Sequence, residues 1–357
     1  MRKLVLLGGG YGNMRILLRL LPNNFPKDTK IIIVDRTSHH SLKTEFYALA
    51  AGTTTDKHIR VSFPEHERLE AVYGEITKID RKEKVVYLDN GNKVEYDDLV
   101  IGLGCEDDYH NVPGAEENSY SIQTIAKSRT TFETLCGLPP GSVVGIVGAG
   151  LSGIELASEL RESRSDLKIK LFDRSPRILR AFPEKLSNYV KDWFVKNDVD
   201  VIAESNITMV EPTKLHNHDQ VIDVDAVVWT AGVKPVKVVR DMDVEQDKKG
   251  RPLITEHYHL LDDENVFVIG DCAASDLPAT AQLAEEQAER VVKVLKYRWN
   301  NEPLPEKLPP IKLKGFMGSL GKKQGFVHLA DTTVTGRIAR LMKSGLLWMY
   351  KWQNDSQ

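Results

Sequence analysis

Short apolar runs alternate with helical periodicity along most of the chain. Leu4-Val5-Leu6-Leu7 reads as a buried strand, Met14 to Leu21 as a helix, and Lys30-Ile31-Ile32-Ile33-Val34 as a second buried strand ending at Asp35. The order recurs roughly 140 residues later. Ser142 to Val147 is strand-like, Ser152 to Leu160 is helical with Ala and Leu facing inward, and Lys168 to Phe172 leads to Asp173. Strands alternating with helices predict parallel sheets covered by helices. Between these units Leu69 to Asp80, Val85 to Leu88 and Val94 to Tyr96 form a strand-rich meander, with Asn90-Gly91 as a hairpin turn. Leu99 to Gly104 returns as a core strand. Asn206 to Val210 and Gln220 to Val224 predict a second small meander, followed by the buried runs Ala226 to Gly232 and Val266 to Ile269. A helix from Ala279 to about Leu295 and a Pro-rich linker from Asn301 to Pro310 complete this part, and Pro22 to Pro26 marks the exit from the first helix.

Each strand-to-helix junction carries a glycine-rich turn of the kind that grips a dinucleotide pyrophosphate. The second, Gly148-Ala149-Gly150-Leu151-Ser152-Gly153, is complete. Gly148 permits the tight turn, Gly150 lets main chain approach the pyrophosphate, and Gly153 lets the helix pack closely on its strand. Asp173 stands where a carboxylate accepts ribose hydroxyls, and it repels the extra phosphate of NADPH; Arg174 beside it is the feature that would accept that phosphate. The first turn, Gly8-Gly9-Gly10-Tyr11-Gly12, has Asn13 in the third glycine position, so a looser helix–strand contact is expected there. Two such turns suggest a flavin meeting a nicotinamide.

A net charge of −3 gives no reason to expect nucleic acid. The three cysteines, Cys105, Cys136 and Cys272, form no C-x-x-C pair, and no apolar run approaches bilayer-spanning length. The pairs His39-His40, His216/His218 and His257/His259 lack Cys or carboxylate partners at ligand spacing, so no metal site is expected.

With these features the chain resembles the two-dinucleotide-binding flavoprotein reductases, and among them the type II NADH dehydrogenases that pass electrons from NADH to quinone. The resemblance rests on the two turns, on His40 to Thr53 with Thr44 at the family's threonine, and on Tyr96 to Gly104. It continues through Trp229 to Val233 and Val268-Ile269-Gly270-Asp271, then Thr280 to Gln287, and Lys314 to Gly321. It implies an α/β fold of two Rossmann-like domains in three-layer sandwiches. Residues 1–115 and 241–310 would form an FAD domain, 116–240 an inserted NAD domain, and 311–357 a short membrane-facing tail. FAD would be held by Gly8, Gly10, Tyr11, Gly12, Asp35, Arg36, Thr44, Gly104, Asp271 and Ala281. NADH would be held by Gly148, Gly150, Leu151, Ser152, Gly153, Asp173 and Gly232. Glu155 matches the family's glutamate near the nicotinamide, and Gln282 and Lys314 fall at the quinone pocket. Glu286 replaces the first of two usual glutamines and brings a negative charge where an amide is expected.

Hydride passes from nicotinamide to flavin when the rings stack, so orientation is the protein's main task. Without a C-x-x-C relay the electrons should leave for a diffusible acceptor, most simply a quinone. A soluble reductase of a carrier protein or oxygen is the alternative, and Asn13 and Glu286 also permit a flavin-binding sensor or partner-binding protein that does not turn over. From Gly336 to Trp352, helical spacing projects Ile338, Leu341, Met342, Trp348, Met349 and Trp352 to one side. Arg337, Arg340 and Lys351 fall on the other side, with Lys343 at the flank. That stripe predicts a helix lying on the cytoplasmic side of a membrane, or packing on the body or on a second subunit of a homodimer. The same reading expects deletion of Arg337 to Gln357 to leave NADH-to-dye activity intact.

Overall fold

The computed structural model describes every residue except Asn23, Asp331, Ser356 and Gln357, and only the backbone of Asn354 and Asp355. The predicted helix exit at Pro22 to Pro26 therefore lies in part outside the described residues, after a helix spanning Tyr11–Leu20.

Two five-stranded parallel sheets organise the chain. In the first, Arg2–Leu7 lies between Thr29–Asp35 and Asp98–Ile101, with Leu69–Tyr73 and Val266–Val268 at the edges. In the second, Val143–Val147 lies between Lys168–Phe172 and Ala226–Trp229, with Val199–Ile202 and Tyr120–Ser121 outermost. The second sheet is built wholly from residues 120–229, so it interrupts the first in sequence. An antiparallel ribbon of Cys105–Asp107 against Val233–Pro235 joins the outgoing and returning chain.

Continuous apolar runs make these strands because both sheet faces are covered. Leu4, Leu6, Ile31 and Ile33 pack with Met14 and Leu17 and with Val291 and Leu295 of the helix Ala281–Trp299. Val5, Leu7, Ile32 and Val34 point the other way, onto Val86, Leu88, Val94 and Tyr96 of the antiparallel meander. Each fully buried Leu or Val contributes about 1.5–3 kcal/mol.

The run Leu69 to Asp80 is two strands. Gly74, at φ 156, breaks it, so that Leu69–Tyr73 joins the first sheet and Ile76–Asp80 the meander. The second meander has a third strand, Lys214–Asn217, which its polar Lys, His and Asn conceal in the sequence. After the linker, Gly315–Leu320, Gln324–Leu329 and Thr332–Thr335 form an antiparallel sheet, and the helix Arg337–Asp355 packs across it.

Candidate dinucleotide sites and the buried tail network

Both glycine turns are built alike but filled from opposite sides. Gly8 (φ 90) and Gly148 (φ 106) take left-handed backbone, and a Cβ would lie 2.7 Å from the Gly102 oxygen at Gly8 or 2.8 Å from Ala231 Cα at Gly148. At Gly153 a Cβ would overlap the Gly148 oxygen, and the gap beside it holds the Thr230 hydroxyl, 2.9 Å from both the Val147 and Gly148 carbonyls. In the first unit the side chain comes from the helix. Asn13 is 1% exposed, and its Nδ2 donates to the carbonyls of Leu7 and Gly8 at 2.8 Å each. Room for it comes from Gly102, where a Cβ would sit 2.9 Å from that nitrogen. The looser contact expected at Asn13 is thus corrected, because the amide satisfies two turn carbonyls.

The grooves suit dinucleotides by an independent criterion. A Cβ at Gly150 would meet nothing within 4 Å, and at Gly10 nothing nearer than 3.7 Å, so glycine there leaves open the space that an incoming pyrophosphate would need. Gly10 and Gly150 are the N-caps of their helices and supply no side-chain cap, which leaves first-turn N–H groups for an anion. Asp173 accepts the N–H of Ala149 and of Ser175, each at 2.7 Å and on different oxygens, so each oxygen keeps one lone pair for a hydroxyl. Asp35 accepts Gly9 N–H at 2.6 Å on one oxygen and both Thr37 donors, at 2.7 and 2.8 Å, on the other, which leaves one.

The other candidates fall into two groups. Tyr11 hydrogen-bonds Thr44 at 2.9 Å between hydroxyls, and Gly12 packs so that a Cβ would lie 2.7 Å from Ile269. Gly104 (φ 69) precedes Cys105, whose thiol donates to the Asp271 carbonyl at 3.2 Å. Ala281 opens a helix capped by Thr280, and Gln282 accepts the Lys314 backbone N–H at 3.2 Å while the Lys314 side chain stays exposed. Arg36 is exposed, 4.0 Å from Glu75. In the second unit Leu151 and Ser152 begin the helix, Gly232 (φ 111) faces His110, and Arg174 is exposed. Glu286 does not present a bare charge. It pairs with Arg290 at 2.9 Å, and the neighbouring Gln287 is buried and accepts Gly270 N–H at 2.6 Å.

Glu155 meets a partner that sequence reasoning left at the flank. Lys343 of the tail helix is 8% exposed, and its ammonium donates to Glu155 at 2.5 Å and to the Tyr47 hydroxyl at 2.7 Å, with Glu45 at 3.6 Å. Ser319 N–H also donates to Glu155, at 2.9 Å. Burial pushes the Glu155 carboxyl up to about 7, against the opposing pull of Lys343. Burial also works against the Lys343 ammonium, but Glu155, Tyr47 and Glu45 outweigh it and hold its pKa above the usual lysine value. The signal was an inward helical face of Ala339, Lys343, Leu347 and Tyr350, invisible to a search for apolar residues alone. Arg340 and Lys351 also face the body: Arg340 lies 3.8 Å from Glu159, and Lys351 donates to the His58 carbonyl.

Five of the six paired histidines have structural partners, while the Nε2 of His39 is buried without a hydrogen bond. His40 donates from Nδ1 to the Gly9 carbonyl at 2.7 Å and accepts the Tyr350 hydroxyl at Nε2, 3.0 Å away; burial lowers its pKa to about 4, so it is neutral. His216 meets Glu211, and His218, His257 and His259 bond backbone carbonyls.

Gly102→Thr alone is expected to collide with Asn13 and destabilise the fold by about 1–3 kcal/mol. Combining it with Asn13→Gly recreates the packing of the second unit and restores stability in urea denaturation. Glu155 has its folded pKa above its ordinary value of 4.5, so its contribution to stability is complete below about 4.5 and is lost as pH rises to about 7. Glu155→Gln should remove that part of the pH dependence of Tm. Lys343→Met, which strands the carboxylate, should cost about 3–5 kcal/mol.

Residues 2–288 match the model of the Pyridine nucleotide-disulphide oxidoreductase family. The chain is 58% identical over 354 residues to a NADH dehydrogenase-like protein, YutJ, of Bacillus subtilis, covering 99% of this chain and all of that one. It is 24% identical over 380 residues to a Type II NADH:quinone oxidoreductase of Staphylococcus saprophyticus, covering 96% of this chain and 93% of that one. Among solved structures it is similar to the sulfide:quinone oxidoreductase of Aquifex aeolicus, with a TM-score of 0.86 and 21% identity over 100% of this chain and 92% of that one. The Plasmodium falciparum NDH2 complex with NADH gives a TM-score of 0.85 at 15% identity, covering 99% of this chain and 96% of that one. The chain belongs to the pyridine nucleotide-disulphide oxidoreductase family, as an oxidoreductase of FAD and NADH.

Proposed function

We propose that the chain oxidises NADH through FAD and delivers the electrons to a quinone at a membrane surface. The orientation of the tail helix carries this reading. Three of its four cations, Arg340, Lys343 and Lys351, turn toward the protein and Arg337 at its start is exposed, while Ile338 (65% exposed), Leu341 (71%), Trp348 (66%) and Trp352 (59%) turn outward. A soluble helix does the reverse, and a bilayer surface is where such a face gains free energy. No described helix is long and apolar enough to cross a membrane, so the contact proposed is peripheral. The relatives named for NADH dehydrogenase and NADH:quinone oxidoreductase activity support the same direction.

When bound, FAD takes hydride from NADH and passes the electrons on. In this reading residues 1–115 and 241–310 hold FAD through the first turn, Asp35, Thr44, Gly104, Asp271 and Ala281. Residues 116–240 hold NADH through Gly148 to Gly153, Asp173 and Gly232. Glu155 lies at the nicotinamide side, Gln282 and Lys314 at the acceptor side. Burial lifts the Cys272 thiol to about 11 and raises that of Cys105 as well, and both donate to backbone carbonyls, so neither thiol is ready to attack at neutral pH. An external acceptor fits this better than a protein disulfide.

The buried Lys343 changes the expectation for truncation. Removing the tail strands Glu155, so deletion of 337–357 should destabilise the body and not merely release it from membranes. Substituting Ile338, Leu341, Met349 and Trp352 by Gln is the cleaner experiment. It should lower partition onto phosphatidylcholine vesicles by about tenfold or more and leave NADH-to-dye turnover unchanged; undiminished partition argues against the membrane reading. A short-chain quinone should accelerate NADH oxidation by the purified protein, and a rate indifferent to quinone rules it out as acceptor. The kcat/KM should favour NADH over NADPH, and Asp173→Ser should narrow the ratio.

A further inference from the structure

Beneath the tail helix lies a half-open cavity of about 410 Å³ whose lining includes Glu45, Thr53, Glu159, Lys322, Arg340 and Trp348. Glu159 is 1% exposed, and neither of its carboxylate oxygens receives a close hydrogen bond, with the Thr53 hydroxyl and the Arg340 guanidinium as longer-range polar neighbours in the lining. The Thr53 hydroxyl beside it donates to the Ala48 carbonyl at 3.2 Å, and Arg340 stands off at 3.8 Å. Arg340 Nε likewise finds no acceptor. A buried carboxylate and a guanidinium N–H left in this way are costly, and their residues, Glu159 and Arg340, line one cavity. The mouth lies at the apolar face, because Trp348 belongs at once to the lining and to the outward stripe, where its ring stacks on Trp352 with centroids 6.5 Å apart and planes 13° apart.

We propose that this cavity receives the headgroup of an amine-bearing phospholipid, its ammonium donating to Glu159 and its phosphate resting against Lys322 and Arg340. The inference rests on the membrane-surface reading, since the acyl chains would run along the exposed stripe. The lining offers both signs of charge, with Glu45 and Glu159 against Lys322, Arg340 and Lys351. A zwitterion with N–H donors answers each. A quinone ring is neutral and carries only acceptors, so it would dehydrate both signs and leave Glu159 without a donor. A glycerol headgroup meets the cations but gives the carboxylates no countercharge.

The test uses the full-length protein and dihexanoyl phosphatidylethanolamine below its micellar concentration, followed by native mass spectrometry and tryptophan fluorescence. A saturable one-to-one complex is expected. The phosphatidylcholine and phosphatidylglycerol analogues should bind about tenfold more weakly, and inorganic phosphate or ethanolamine alone should not displace the lipid at equal concentration. Lys322→Glu, at an exposed position, and Ser344→Phe, which fills the cavity, should each weaken the complex about tenfold with NADH-to-dye turnover unchanged. Glu159→Gln should abolish the preference for the amine over the glycerol headgroup. Equal binding of the three lipids, lack of a complex, or displacement by a short-chain quinone overturns the proposal. Vesicle partition separates the two readings. Binding to phosphatidylcholine vesicles without the soluble complex sinks the headgroup site alone, and the soluble complex without vesicle binding sinks the membrane reading alone.

Discussion

One ammonium group holds the carboxy-terminal helix to the two halves of the molecule. Lys343 reaches Glu155 on the helix of the second glycine turn and Glu45 and Tyr47 on the short helices Lys43–Glu45 and Phe46–Ala50. Charge pairs so deeply buried rarely add net stability, since removing both ions from water offsets their attraction. Their effect is positional. Only one rotation of the helix puts Lys343 on Glu155, and that rotation sends the tryptophans outward.

The two nucleotide units show how one geometric requirement admits two sequence solutions. Each turn has a pair of carbonyls that need a donor and a space one side chain wide. Asn13 fills it from the helix with Gly102 opposite; Thr230 fills it from the neighbouring strand end with Gly153 opposite. A motif defined by glycines along one segment registers the first as a defect because the compensating residue lies far away in sequence.

That difference marks what the sequence makes legible. Buried parallel strands, glycine turns and their terminal aspartates announce themselves through local composition, and the paired sheets follow from them. Long-range polar partnerships do not. Lys343 reads as a flank cation until a distant helix supplies Glu155, whereas the pairing of Glu286 with Arg290 is a local i,i+4 contact that helical spacing itself offers. The strand Lys214–Asn217 escapes because its only apolar residue is Leu215, with pairing supplied from both sides.

His40 joins what lies at opposite ends of the chain. Its imidazole is held neutral, with one nitrogen committed to the main chain of the first glycine turn and the other to Tyr350 near the carboxy terminus. Tyr11, whose ring stands edge-on to His40 with centroids 4.8 Å apart, closes the contact from the helix that the turn launches. The first glycine turn and the seating of the last helix therefore share a single aromatic hinge-pin. Lifting that helix takes the Tyr350 hydroxyl away from the ring that holds the Gly9 carbonyl.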